Sequence, residues 1–519
     1  MLDAQSFHSS DEPNQPLYLQ ISRWVEERIR SGELAPGTRL QPVRALAHQL
    51  GVNRGSVAHA YAHLTREGLL QGGPGRGTFV RAAPSIGASE EPTTTGEDFW
   101  QPLLVEVNSR LGAPRPAILD TDPSFEWVPE NGSPSNAQAR FAMDLPLSDH
   151  RLSYPLIKDA LQRLAASLPR DALAYGHPQG LHSLRVQLAA RARRNGMNIE
   201  SREILICNGT QQALSLVCSL LVQPGDTVVM ANPGYPGASR VFRMFGAKIL
   251  TIPLDDNGLK VDQFQAMLRD HRPKLVYTVP TFQVPTGTTL AHERRLRLYR
   301  LAEAHKVPVV EDEYANPLYY EEPPPQPIKA LDRQGLVIYV GTFSKTLGAG
   351  LRLGWIAAHP AVLARLVQAK EAQDIHTSLI SQLLVDSLLR DGTYDHHLET
   401  LRDHYGQRYR ALLRALRKHF GSILKFEPSG GAFSIWATLP ESVSATRWLH
   451  FARARGVNFH RGTSYFLEGD TDRHAQICFS QIDPDSIELA VEQLQLAFHE
   501  ARESYVGPGA ASGGFLPFS

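Results

Sequence analysis

Apolar residues recur at helical spacing in "PLYLQISRWVEERIRSG". Leu17, Ile21, Val25 and Ile29 fall on one face and Gly32 supplies a stop. "PVRALAHQLG" repeats the pattern over a shorter helix closed by Gly51. Asn53 stands where an N-cap is expected for a third helix, "RGSVAHAYAHLTREG", with Val57, Tyr61 and Leu64 turned inward. "LLQGGPGRGTFV" then reads as two short strands around a glycine-rich turn. Three helices and a hairpin give the element order of a winged helix-turn-helix, placed at 12–82.

The pattern then breaks. "RAAPSIGASEEPTTTGED" is rich in Pro, Ser, Thr, Gly and acids, which predicts a flexible linker over 83–97. In the following stretch "FWQPLLVEVNSRL" reads as helical and "PAILDTDPSFEWVPENGSPSNAQ" as an irregular insertion. From Phe141 to Ala501 short apolar runs alternate with helical segments: "EILIC", "TVVMA", "KILTI", "LVYTV", "VPVVED", "LVIYVG" and "LGWIA". This alternation predicts an α/β domain over 98–501 with a largely parallel sheet covered on both faces. The closing residues, 502–519, have the composition of a disordered tail.

Composition sharpens this picture in three places. With 42 % hydrophobic and 20 % charged residues, the 519-residue chain has the means for a large core. The three cysteines, Cys207, Cys218 and Cys478, are scattered, so neither a disulfide framework nor a metal site is expected, which suits a reducing cytoplasm. The stretch "ALSLVCSLLV" is too short to span a bilayer, so no membrane partner is expected.

Charge is the fourth. The formal net charge is zero, yet Arg39, Arg44, Arg54, Arg66, Arg76 and Arg81 face a single acid, Glu67, between 39 and 81. That local excess predicts a double-stranded DNA partner. Arg54 opens the third helix, where arginine can meet guanine bidentately, and Ser56 can reach a phosphate or a base. Gly75, Arg76 and Gly77 form a wing tip able to approach a groove. From "LYLQISRW" through "GRGTFV" the stretch resembles the GntR-type winged helix. That family carries a Pro-Ser-x-Arg element before its second helix; here "QPVR" keeps Arg44 and lacks the serine.

A second constellation has the parts a pyridoxal phosphate site needs. Lys345 ends the "LVIYVGTFSK" run, where open α/β sheets place ligands, and supplies a Schiff-base amine. Asp312 can hold a protonated pyridine nitrogen, and Tyr314 can bond the ring hydroxyl. Gly209, Thr210 and Gln211 start a helix whose amides suit a phosphate. Tyr235 is the stacking ring, while Thr342 and Arg352 are further phosphate donors.

"YGHPQGLHSLR", "NGTQQAL", "PGYPG", "VPTFQVPTG", "EDEY" and "GTFSKTLGAGLRLGW" occur in the order found in type I aminotransferases, and the chain resembles that fold over most of its length. The resemblance implies that Lys345 carries the Schiff base, that Asp312 pairs the pyridine nitrogen, and that Tyr175 reaches the cofactor phosphate of a partner subunit in a homodimer. A GntR-type reader ahead of such a domain is similar to the MocR/GabR regulators. That plan implies a transcription regulator sensing a small amine, amino acid or vitamin B6 vitamer. Two positions depart from the family: Val284 replaces the asparagine or aromatic of its proline turn, and Gln476 in "AQICFSQ" replaces the arginine that clamps a substrate carboxylate. Arg473 and Arg461 are the candidates to substitute for it. A working aminotransferase with a DNA-binding unit, and a regulator whose large domain only dimerises, stand as alternatives at this point. Lys345, Asp312, Thr342 and Arg352 argue against the latter, Gln476 against the former.

Overall fold

The computed structural model describes residues 7, 16–66, 69–73, 77–81, 141–143, 149–469 and 472–504. The expected linker, the 98–140 segment, Gly75 and Arg76 lie outside the described residues. The chain divides into two compact units, drawn from 1–102 and 103–519.

In the first unit, helices α1 (Leu17–Arg30), α2 (Val43–Leu50) and α3 (Arg54–Arg66) precede the antiparallel hairpin β1 (Leu70–Gly73) and β2 (Gly77–Val80). The predicted stripes close on one core: Ile21, Val25, Leu46, Val57 and Leu64 are buried together. Each such aliphatic contributes about 1.5–3 kcal/mol on burial. Gly51 ends α2 at φ 64°, a left-handed cap that a β-carbon would disfavour. Asn53 caps α3 by accepting from the Gly55 amide at 2.8 Å.

The second unit holds two sheets. Strand β3 (Phe141–Met143) is followed by β4 (Ile204–Cys207), β5 (Thr227–Asn232), β6 (Lys248–Asp255), β7 (Gly258–Leu259), β8 (Leu275–Thr278), β9 (Val309–Glu313), β10 (Val337–Thr342) and β11 (Gly354–Ala357). Eight of these form a sheet in the order β4-β11-β10-β9-β8-β5-β6-β7. Its centre, β10-β9-β8-β5-β6, is parallel, and β11, β4 and β7 pair antiparallel at its edges. The strands are apolar on both faces because helices cover both. Val228, Val310 and Ile338 pack on the helices Thr210–Leu221, Pro236–Met244 and Pro360–Asp374. Their neighbours Val229, Val309 and Val337 pack on Val261–His271 and His292–His305.

Strands β12 (Lys425–Phe426), β13 (Ser434–Thr438), β14 (Val457–Arg461) and β15 (His474–Cys478) join β3 in a second sheet, which the apolar runs did not predict. Alternate residues Ile435, Ala437, Ala475 and Ile477 back onto the helices Thr393–Phe420, Ala445–Ala454 and Pro484–Glu503. That last helix corrects the expected start of the tail. Buried Phe498 and Ala501 anchor its final turn, so Arg502 and Glu503 are helical. Among the described residues no helix is long and apolar enough to cross a membrane.

Candidate functional site

In the first unit, Arg54 is exposed on the first turn of α3 and Arg44 on the first turn of α2. Ser56 is half-buried on the same turn as Arg54. No acidic residue occupies either first turn, so nothing there opposes a phosphate backbone. Gly77 opens β2 at φ 93°, and a β-carbon on it would lie 2.9 Å from Arg39 Nε. Arg39 pairs with Phe79 through an isolated antiparallel bridge, and its guanidinium lies 5.9 Å from the centre of the Phe79 ring. Sequence reasoning counted Arg39 only as charge; its offset before the hairpin was the available signal.

The large sheet gathers the second constellation at the carboxyl ends of its parallel strands. Asp312, on β9, is the register partner of Val340 on β10, and Lys345 lies in the turn three residues beyond the end of β10 at Thr342. Asp312 is buried. Its Oδ2 accepts from the Tyr277 hydroxyl at 2.8 Å and its Oδ1 has no partner. Burial pushes this carboxyl up to about 7, against the hydrogen bond from Tyr277. Lys345 is half-buried with its Nζ 5.9 Å from the centre of the Phe433 ring. Desolvation brings its ammonium down to about 8, with Cys478 pulling weakly the other way.

Strand β4, separated from β10 by β11, leads at its carboxyl end into a helix N-terminus. Gly209, at φ 85°, turns the chain from β4 into Thr210–Leu221. The Arg352 guanidinium donates to the Asn208 carbonyl at 2.6 Å. A β-carbon on Gly209 would lie 3.1 Å from that guanidinium, so glycine is what lets it lie over the helix start. The Tyr235 hydroxyl accepts from Gln211 Nε2 at 3.0 Å. Burial, and then the Asp312 carboxylate, raise the Tyr235 phenol. The Thr342 hydroxyl bonds Ser344 in the lysine turn at 3.0 Å. A cavity of about 520 Å³ opens beside Asn208, Gln211, Arg240 and Arg352.

Other expected residues stand apart. Tyr314 donates its proton to the Phe282 carbonyl at 2.9 Å, so in this state it serves a backbone group. Tyr175 is 83 % exposed and touches the His376 ring edge-on. Gln476 is 2 % exposed, on β15. Its Oε1 accepts from the Tyr465 hydroxyl at 2.6 Å and its Nε2 donates to Ser434 Oγ at 3.0 Å. Arg473 spends its guanidinium on the Leu439 carbonyl and on Glu441, at the opposite end of β15 from Cys478. Arg461 donates to Thr446. Tyr277 and Tyr465 were missed by sequence reasoning, which read "LVYTV" only as a strand and made no reading of the turn that holds Tyr465.

Residues 143–494 match the family model of aminotransferase class I and II, and residues 17–80 match bacterial regulatory proteins of the gntR family. The chain belongs to the MocR/GabR type of regulator, a GntR helix-turn-helix domain joined to an aminotransferase-like domain. The first domain makes this regulator a DNA-binding protein. It is 31 % identical to the HTH-type transcriptional regulator TauR of Rhodobacter capsulatus over 501 residues, 96 % of this chain and 99 % of that one. It is 27 % identical to the probable rhizopine catabolism regulatory protein MocR of Rhizobium meliloti, over 93 % of this chain and 94 % of that one. Among solved structures, LysN, the α-aminoadipate aminotransferase of Thermus thermophilus complexed with N-(5'-phosphopyridoxyl)-L-leucine, aligns with a TM-score of 0.66 at 30 % identity. That alignment covers 70 % of this chain and 92 % of LysN.

Proposed function

We propose that this regulator holds pyridoxal 5'-phosphate at Lys345 and controls transcription in response to a small amine-bearing molecule, as a homodimer. The observation that carries the reading is the lone Oδ1 of Asp312. A buried carboxylate oxygen without a partner is costly, and a protonated ring nitrogen would satisfy it. The cradle at Gly209, which a β-carbon would crowd against Arg352, suits a phosphate dianion at a helix N-terminus. Bound there, the cofactor supplies a carbonyl that condenses with primary amines and a ring that withdraws electrons.

The chain's own residues do the rest. Lys345, lowered to about 8, keeps roughly a tenth of its amine unprotonated at neutral pH and so is a competent tether. Asp312 anchors the ring, Tyr235 covers its face, and Gly209, Thr210, Gln211, Thr342 and Arg352 bind the phosphate. In the first unit Arg54, Ser56 and Arg44 meet DNA, together with Gly77 at the start of β2. The aminotransferase reading draws on likeness to LysN and to an aromatic-amino-acid aminotransferase of Thermococcus litoralis, 36 % identical over 65 % of this chain. The commitment of Gln476 to Tyr465 and Ser434 counts against it.

The test is borohydride reduction of the purified protein followed by peptide mapping. A phosphopyridoxyl label on Lys345, absent from Lys345→Ala, supports the reading. Label elsewhere, or none, defeats it. Operator binding that changes on adding an amine would identify the sensed class.

A further inference from the structure

Asp312 is gripped from one side only. Tyr277 on β8 has Val310 on β9 as its register partner, so the pleat turns Tyr277 and Asp312, two residues on, to one face. The phenol reaches forward to Oδ2 at 2.8 Å, while the Phe242 ring meets it edge-on at 5.6 Å between centres. Tyr277 and Asp312 are both buried, and Oδ1 is left without a partner. The same carboxylate also acts on the phenols of Tyr235, Tyr314 and Tyr339. Tyr314 gives its proton to the Phe282 carbonyl, so that hydroxyl is turned away from Asp312, and Tyr235 accepts from Gln211.

We propose that Tyr277 is a positioning residue for the cofactor. Its hydroxyl fixes the rotation of the Asp312 carboxylate and leaves Oδ1 as the acceptor for a protonated ring nitrogen. The proposal rests on the pyridoxal phosphate reading above. A hydrogen bond donated to a carboxylate stabilises its ionised form against burial. Without the phenol oxygen, Asp312 takes up its own proton more readily, and the ring nitrogen loses the charge that keeps it protonated.

The measurement is the nitrogen chemical shift of ring-15N pyridoxal phosphate loaded into the full-length protein, followed against pH. Wild type is expected to hold the protonated signal through neutral pH. Tyr277→Phe removes one oxygen and keeps the ring against Phe242; its midpoint is expected about one to two pH units lower. Phe242→Leu loosens the packing on the Tyr277 ring while keeping both oxygen atoms of the pair, and is expected to behave as wild type. Borohydride labelling of Lys345 in all three proteins checks loading. Labelled wild type and Tyr277→Phe with superimposable titrations overturn the positioning role while leaving the cofactor reading intact. An equal shift in Phe242→Leu overturns it too, because loosened packing would then be the cause. A wild type that takes up no cofactor sinks both.

Discussion

The Gln476 side chain accepts from the Tyr465 hydroxyl at 2.6 Å and donates to Ser434, so both ends of its amide are occupied. Arginine at this position could still donate but could not accept from Tyr465. Ordinary α-amino acids are therefore expected to change the cofactor spectrum slowly. Gln476→Arg is expected to speed that change, since a charged hydrogen bond to carboxylate is about twice as strong as a neutral one. Gln476→Leu strands two buried hydroxyls and is expected to cost about 1–3 kcal/mol in urea unfolding. Arg473→Ala and Arg461→Ala, whose side chains are engaged elsewhere, are expected to leave the amine response unchanged. Brisk turnover lost in either one would show that a clamp exists there.

Lys345 gives a pH signature in the cofactor-free chain. Its ammonium is lowered from the ordinary lysine value to about 8, so the folded chain holds that proton less tightly than the unfolded one. Keeping it charged costs stability below about pH 8, and the cost fades as pH rises toward the ordinary value. Lys345→Met is expected to be more stable than wild type near neutral pH, by roughly 1–3 kcal/mol. The gain should shrink toward pH 10, near the ordinary lysine value. A gain constant with pH would show that the amine is not desolvated.

Asp312 has the opposite sign. Burial raises its carboxyl to about 7, so the folded chain binds that proton more tightly than the unfolded one. Its ionisation costs stability that is absent below the ordinary carboxylate range and grows until pH passes about 7. Asp312→Asn in the cofactor-free chain is expected to gain stability at mildly alkaline pH and little in acid. The same change is expected to weaken cofactor binding about 10- to 100-fold, from the loss of a charged hydrogen bond. Unchanged cofactor affinity would remove Asp312 from the site.

Much of this was legible in the sequence because it is local. The stripe Leu17, Ile21, Val25 and Ile29 needs only helical period, and "LVIYVG" needs only a two-sided sheet; both formed as expected. Glycine positions carried the turn at Gly209 for the same reason. Pairings across the chain left no such trace. Tyr277 meets Asp312 across 35 residues, and Gln476 meets Ser434 across 42. The second sheet was missed because one face of its strands carries polar side chains, buried Ser434 and Gln476 among them, so "SIWAT" and "HAQIC" do not form continuous apolar runs.

Arg54 lies exposed at the start of α3, beyond the cap that Asn53 makes with Gly55. Arg54→Ala is expected to cost about 1–3 kcal/mol at the specific operator and to relax base preference at one position. Asn53→Ala removes only the cap and is expected to lower domain stability by about 1 kcal/mol. Competition binding at fixed salt separates the two. Equal operator affinity for wild type and Arg54→Ala would take Arg54 out of base reading.

Tyr175 leaves 83 % of its surface exposed beside His376. An aromatic this free contributes little to its own chain, so Tyr175→Phe is expected to leave unfolding unchanged within about 0.5 kcal/mol. If its hydroxyl serves a partner's cofactor phosphate, the variant should lose cofactor faster on dialysis. Mixed dimers decide the matter. In a dimer of one Lys345→Ala chain and one Tyr175→Phe chain, shared sites put both lesions at one centre and leave the other intact. Such a dimer is expected to retain half of the wild-type cofactor with wild-type affinity. Were Tyr175 to act within its own chain, each centre would carry one lesion and no wild-type site would survive. Absorbance titration of the purified mixed dimer reads the difference directly, and absence of a tight half-site would show that the two chains do not share their sites through Tyr175.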